Sequence, residues 1–359
     1  MRVAILGTGL VGASVGLAAR RAGHDVRGWD ADPAVLAAAA ERGAVAPADS
    51  PEAALDGAGL VVVAVPVTAI AAEAARALAA APDATVTDAG STKRAVVDAV
   101  RDARFIGGHP LAGAEVRGPA GAHAELFDGA TWFLCPTAST SPERYRALHA
   151  FVADLGARPV AIDADAHDRL LALTSHLPHA LANLLLNQAG TTSVEGHTAL
   201  AAAGPSFRDM TRVAGANPRI WVDIFLENAE PLSEALANHR KRVEQLERAL
   251  ADGDAGFLAR WIGESVEHRR ELLRDAFDVP GELQRLQVHV PDRPGVLAGI
   301  MQALGAERIN IEDLELHHVS RELGGTLVLV LSGEDAARRA AGVLERQGYD
   351  VDVGPELPS

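Results

Sequence analysis

A single cysteine, Cys135, stands in a chain of 359 residues. One thiol forms no internal disulfide and builds no cysteine cage for a metal. Positive charge is also scarce: 33 Lys and Arg against 48 Asp and Glu leave a formal net charge of −15. That balance argues against a general affinity for nucleic acid or an anionic membrane surface. It leaves room for an anionic substrate, because a few local Arg or Lys residues override the far field at short range. Long apolar runs are missing too. The longest, residues 60–67, is interrupted by Pro66 and falls far short of the roughly 20 residues that span a bilayer. No basic segment with an apolar stretch and a small-residue cleavage site precedes the first strand-like run. The expectation is a cytoplasmic protein without membrane, nucleic-acid or metal partners.

What is present is an ordinary globular composition, 48% hydrophobic and 23% charged. The chain is too long for one compact core, so two or three domains are expected. Short apolar or β-rich runs at 2–6, 24–29, 60–65, 84–88 and 104–108 each precede helix-compatible sequence. That alternation predicts parallel βαβ units covered on both faces. Two further strand candidates, 131–136 and 158–162, flank an amphipathic helix starting near Pro142. Residues 1–163 therefore read as a Rossmann-type doubly wound α/β domain. From there to 279 the helical period dominates. Residues 168–188 read as a long helix bent around Pro178, 190–197 as a loop, Gly204-Pro205-Ser206 as a helix start, and 221–250 as a second long helix. Its apolar faces point to an all-α substrate domain and a homodimer. After Pro280-Gly281, runs at 286–290, 294–304, 309–317, 325–331, 336–346 and 349–353 give a ferredoxin-like βαββαβ order within 284–359.

The first strand leads into Gly7-Thr8-Gly9-Leu10-Val11-Gly12, a dinucleotide-binding fingerprint. Gly7 permits the tight turn, Gly9 lets the backbone approach a pyrophosphate, and Gly12 lets helix pack on strand. The freed amides and the helix N-terminus then hold the phosphates. Asp30 ends the second strand, where a carboxylate accepts from both ribose hydroxyls and repels a 2′-phosphate. That favours NAD over NADP. Val65 and Pro66, ending the next strand, are expected against a cofactor ribose.

Downstream, Gly108-His109-Pro110 closes a strand-like run in a Gly- and Pro-bounded loop. A nicotinamide site plus such a histidine is what alcohol oxidation needs: the cofactor takes the hydride and the imidazole the hydroxyl proton. Asp88-Ala89-Gly90-Ser91-Thr92-Lys93 also follows a strand, bringing a hydroxyl and a lysine to the edge where ligands bind in such folds. Lys93 adds positive potential for a dianionic substrate; Ser91 serves either substrate or the N-cap of the next helix. His176 and His179 supply two more imidazoles, and Arg212 a guanidinium suited to a carboxylate. Asp209 stands one helical turn before Arg212 and is placed to pair with it. His176 and His179, or His317-His318, lack the partners of a metal site.

The segments GTGLVGAS, DAGSTK, FIGGHPLAGAEVRGP, TSHLPH and DMTRVAGANPRIW resemble the prephenate/arogenate dehydrogenase family of tyrosine biosynthesis. The resemblance implies oxidative decarboxylation of a cyclohexadienol with NAD, forming an aromatic ring. It implies His109 as the base, Ser91 orienting the hydroxyl or His109, Arg212 holding a substrate carboxylate, and His179 as a second substrate histidine with His176 beside it. Glu115 and Trp221 match positions lining the pocket. The C-terminal VPDRPGVLAGI…INIEDL resembles an ACT regulatory domain, which implies a small amino acid, tyrosine as feedback inhibitor, at Asp292 and Asn310. An oligomerisation module without ligand is the alternative there. Two other readings of the whole remain: a hydroxyacid dehydrogenase or imine reductase using a helical-domain lysine such as Lys241, and a non-catalytic sensor of NAD and an amino acid.

Overall fold

A computed structural model describes residues 1–113, 118–277, 283–320 and 324–355. The chain divides into two compact units, residues 1–240 and 241–359. The first unit opens with β1 (Arg2–Leu6), α1 (Leu10–Arg21), β2 (Asp25–Trp29), α2 (Pro33–Glu41), β3 (Ala46–Pro47), α3 (Pro51–Leu55) and β4 (Leu60–Val63). It continues through α4 (Ile70–Ala80), β5 (Thr85–Asp88), α5 (Arg94–Ala99), β6 (Phe105–Pro110), β7 (Thr131–Cys135), α6 (Pro142–Asp154) and β8 (Arg158–Ala161). The strands form one eight-stranded sheet ordered β3-β2-β1-β4-β5-β6-β7-β8. Strand order reverses between β1 and β4, the place where α/β sheets bind ligands.

The strands read as unbroken apolar runs because both faces are covered. In β1, Val3 and Ile5 enter one core cluster and Ala4 and Leu6 the other. The short β3 has too few residues to show a pattern in the sequence. One pair departs from the parallel rule. β6 and β7 run antiparallel, with His109 opposite Phe133; among the described residues of their connection only the 3₁₀ turn Pro119–Gly121 is helical.

The helical part follows as α7 (Ala164–Leu171), a π-helical turn Ala172–His176 and α8 (Leu177–Thr191). Pro178 sits in the first turn of α8, where its missing N–H costs least. The interruption expected around Pro178 is found just before it, as the π-helical turn between α7 and α8. The 190–197 segment is not only loop. α8 reaches Thr191, and β9 (Ser193–Val194) and β10 (His197–Thr198) pair across Glu195 and Gly196, both at positive φ. Next come α9 (Pro205–Thr211), α10 (Pro218–Glu227) and α11 (Ala229–Asp252). The single helix expected over 221–250 is thus two, divided at the buried Asn228, whose side chain bonds outside its own helix.

The second unit holds the end of α11 from Lys241, α12 (Ala255–Phe277), and an α/β module: β11 (Leu283–Val290), α13 (Val296–Ala306), β12 (Asp313–Ser320), β13 (Gly324–Ser332), α14 (Glu334–Arg346) and β14 (Asp350–Pro355). Its antiparallel sheet is ordered β12-β13-β11-β14. Alternate residues Leu286, Val288 and Val290 of β11 pack with Ile300 of α13 and Leu344 of α14. Asn310, expected to begin a strand, precedes β12. Ile309 is buried and its amide bonds Leu304 O, so the chain turns at the end of α13 before pairing starts. No helix among the described residues is long and apolar enough to cross a membrane.

Candidate active site

The fingerprint loop is built as its glycines require. Gly7 has φ +91°, and a Cβ there would press on Ala64 O of the loop after β4. A Cβ on Gly12 would collide with the Gly7 carbonyl. A Cβ on Gly9, by contrast, meets nothing within 4 Å, so open space lies over the start of α1. Gly9 caps α1 without a side-chain bond, leaving the first amides of Leu10, Val11 and Gly12 available to an anion. Thr8 is fully buried, and its N and Oγ1 donate to Asp30 Oδ2 at 2.6 and 3.3 Å. Asp32 N donates to Asp30 Oδ1 at 2.9 Å. Two backbone amides thus orient the carboxylate, and its remaining acceptor capacity faces the edge where the sequence places the ribose. Val65 is half-buried beside Gly7, and Pro66 is exposed at the same edge.

His109 is the last residue but one of β6 and is 8% exposed. Its Nδ1 lies 2.9 Å from His167 Nε2, and His167 Nδ1 lies 2.8 Å from Asp168 Oδ1. The chain of partners fixes the proton positions. Burial alone would raise the Asp168 carboxyl, but hydrogen bonds from His167, Arg94 N and Lys93 N outweigh it and hold it below the usual range. An ionised carboxylate only accepts, so His167 Nδ1 carries a proton. With His167 Nε2 as the acceptor, His109 Nδ1 donates and His109 Nε2 keeps its lone pair. Burial above all pushes the His109 imidazolium well below its ordinary range, and the neighbouring Lys93 ammonium acts in the same direction. The ring is a neutral base.

Asp168 does a second job. It accepts Lys93 N at 2.8 Å and Arg94 N at 2.9 Å, capping α5 from a distant helix. Ser91 is therefore not the cap; it lies half-buried in the loop between β5 and α5. Asn228 Nδ2 donates to Asp168 O at 2.8 Å and meets His176 Nδ1 at 3.0 Å. Burial pushes His176 down to about 4. Lys93 corrects the sequence expectation outright. Its side chain has no exposed surface, and its Nζ pairs with the equally buried Asp88. A lysine stem in that position cannot present its ammonium to substrate.

His179, on α8, is stacked on Trp221 of α10, with ring centroids 3.3 Å apart and planes 23° apart. Its Nδ1 donates to Ser175 O at 3.2 Å. Burial lowers His179, and the Arg212 charge lowers it further, which places that guanidinium in its electrostatic reach. Trp221 therefore covers His179 on one face as well as meeting His176 edge-on. Arg212 and Asp209 are exposed at the end of α9. Glu115 lies outside the described residues, as do the side chains of His317 and His318.

Family models match in the order that this geometry needs. "Prephenate dehydrogenase, nucleotide-binding domain" matches residues 15–161, "Prephenate dehydrogenase, dimerization domain" residues 163–264, and "ACT domain" residues 284–352. The chain belongs to the prephenate dehydrogenase family. It is 29% identical to a prephenate dehydrogenase of Bacillus subtilis over 97% of both chains. The crystal structure of A. aeolicus prephenate dehydrogenase with hydroxyphenyl propionate and NAD+ is similar at TM-score 0.72 and 30% identity, covering 76% of this chain and 98% of that one. Synechocystis arogenate dehydrogenase matches at TM-score 0.69 and 28% identity, over 76% of this chain and all of the other. This member is an NAD-dependent dehydrogenase with a C-terminal ACT domain.

Sequence reading missed three residues of the site: His167, Asp168 and Asn228. The adjacent His-Asp pair at a helix start was a weak signal, and its partners lie 58 and 75 residues away along the chain. Cys135 is buried core, its thiol pushed up to about 12 by burial.

Proposed function

We propose that the chain oxidises and decarboxylates prephenate to 4-hydroxyphenylpyruvate, with the hydrogen-bonded series Asp168, His167 and His109 as the observation that carries the reading. NAD+, when bound over the Gly7–Gly12 loop, supplies the hydride acceptor. His109 Nε2 accepts the proton of the C4 hydroxyl. Asp168, acting through His167, stabilises the imidazolium that results in a site where burial disfavours it. Ser91 orients the hydroxyl. Arg212 and His179 bind a substrate carboxylate, with Trp221 holding the His179 ring and Asp209 steadying Arg212. Arg212 is best used to orient: tight pairing to the departing carboxylate would stabilise the ground state most and oppose CO₂ loss. Aromatisation drives that step.

Similarity to the Synechocystis arogenate dehydrogenase favours one second reading, with arogenate as substrate and tyrosine as direct product. Absorbance at 340 nm with NAD+ and either dienol decides between them. Wild type is expected to form NADH, and His109→Asn to lose about 10²–10⁴-fold in kcat. No turnover of either dienol sinks both readings and revives the sensor.

The assembly is read as a cytoplasmic homodimer, supported by the dimerization-domain match and by apolar side chains left exposed on α9 and α10, among them Met210, Ile220, Val222 and Leu226. The ACT domain is read as the receptor for tyrosine. Asp292, in the loop before α13, and Asn310, in the loop after it, are the polar contacts; Asn310 Nδ2 now holds Glu312 Oε1 at 3.0 Å. Calorimetry without tyrosine heat, together with unchanged activity, would reject regulation.

A further inference from the structure

We propose that Lys93 is a positioning residue for His109, acting on it from both sides through Asp88 and Asp168. This deepens the dehydrogenase reading and rests on it for the role of His109 as base. The side chain reaches one way. Lys93 Nζ pairs with Asp88 Oδ2, and both side chains are wholly buried. Asp88 Oδ1 in turn accepts Gly108 N at 3.0 Å, the amide immediately before His109, while Oδ2 also accepts Gly90 N at 2.9 Å. The main chain reaches the other way: Lys93 N donates at 2.8 Å to Asp168, which holds His167 against His109. One residue thus fixes the strand that carries the imidazole and the partner that sets its tautomer.

The strand is shaped to admit this lysine. A Cβ on Gly107 would lie 3.3 Å from Lys93 Cδ and 3.4 Å from Cys135 Cβ, so a side chain there would crowd the buried stem. A Cβ on Gly108 would collide with Asp88 O. The Gly107-Gly108 pair thus leaves room for the buried Lys93 stem and for the Asp88 backbone beside the strand that carries His109. Among the described residues, the charged and titratable groups around His109 are Lys93 and Asp88 from the β5–α5 region, His167 and Asp168 of α7, His176 of the π-helical turn and, across β7, Cys135. Among the charged groups acting on His109, the Lys93 ammonium favours the neutral ring. Removing it leaves Asp88 to favour the charged one.

The test uses the full chain carrying Lys93→Met, Lys93→Arg and the double variant Asp88→Asn/Lys93→Met. Two readouts are taken: steady-state kinetics against pH, and the His109 imidazole titrated by NMR without substrate. For K93M the expectation is a kcat reduced about 10²-fold with KM changed less than about threefold. The acid limb of the profile and the His109 titration should both move to higher pH. K93R should recover part of kcat. The double variant carries no unpaired buried charge and keeps the test alive if K93M does not fold; its His109 titration should move upward by less than in K93M. A KM-only loss would return Lys93 to substrate binding and overturn the proposal. So would a folded variant with wild-type kcat and an unmoved titration. If wild type turns over neither dienol, the reaction assignment fails while the NMR titration still decides on Lys93.

Discussion

His109, His176 and His179 are pushed toward the neutral form by burial, and the cost appears as a pH dependence of stability. His176 is 1% exposed and shifted from 6.5 to about 4. Its folded value lies below its unfolded one. Above pH 6.5 neither state is charged and the fold keeps its full stability. As pH falls from 6.5 toward 4 the unfolded chain binds a proton that the folded one refuses, and stability drops. Below about 4 both are charged and the loss from this residue stops. At 1.36 kcal/mol per unit the loss is about 3 kcal/mol. Urea midpoints taken between pH 7.5 and 4.5 should fall for wild type and fall less for His176→Asn. Equal slopes would place the acid sensitivity elsewhere. Asp168 is also shifted down, from 3.8, so its contribution is full above that value and is lost at still lower pH, as it protonates.

Elements meet the cofactor loop at two glycines that do different things, and substitution separates them. Gly12 faces the Gly7 carbonyl, so Gly12→Ala forces α1 away from β1 with backbone on both sides of the clash. Overpacking of that kind costs about 1–3 kcal/mol, and the phosphate-binding amides move with the helix. Melting temperature and NAD+ affinity should fall together. Gly9→Ala puts its methyl into open space, so the fold should melt as wild type while NADH titration by fluorescence loses at least about tenfold in affinity. If Gly9→Ala binds NADH normally, the space above α1 is not the pyrophosphate site. Element boundaries followed the same local logic elsewhere. An interruption near Pro178 was readable in the sequence, but the division of α10 from α11 was not. Asn228 is helix-compatible in sequence, and it interrupts the helix where its amide serves Asp168 and His176.

At the scale of the whole molecule, the dehydrogenase site belongs to the first unit, and Asp292 and Asn310 to the second. Feedback by tyrosine would require two states of the protein that differ in tyrosine affinity. Couplings of this kind are typically about 1–3 kcal/mol, or roughly 5–150-fold in affinity. Saturating tyrosine should therefore raise the apparent substrate constant within that range, and Asp292→Ala should weaken both the tyrosine heat and the inhibition. By reciprocity, bound substrate should weaken tyrosine by the same factor.

Local chemistry determined what the sequence revealed. The glycine fingerprint, the strand-end Asp30, the Gly-Pro setting of His109 and the βαββαβ order of 284–359 are each defined by near neighbours, because turns, helix starts and strand periods are short-range. The same locality misled at Lys93, where a lysine before a helix reads as solvated or substrate-facing. Only the tertiary structure decided that it is buried on Asp88, that Asp168 caps α5 from another helix, and that His167 stands between Asp168 and His109. Those partners are separated by up to 75 residues. A hydrogen bond between such positions leaves no period or spacing in the chain; it exists only once the sheet and the helices have brought them together.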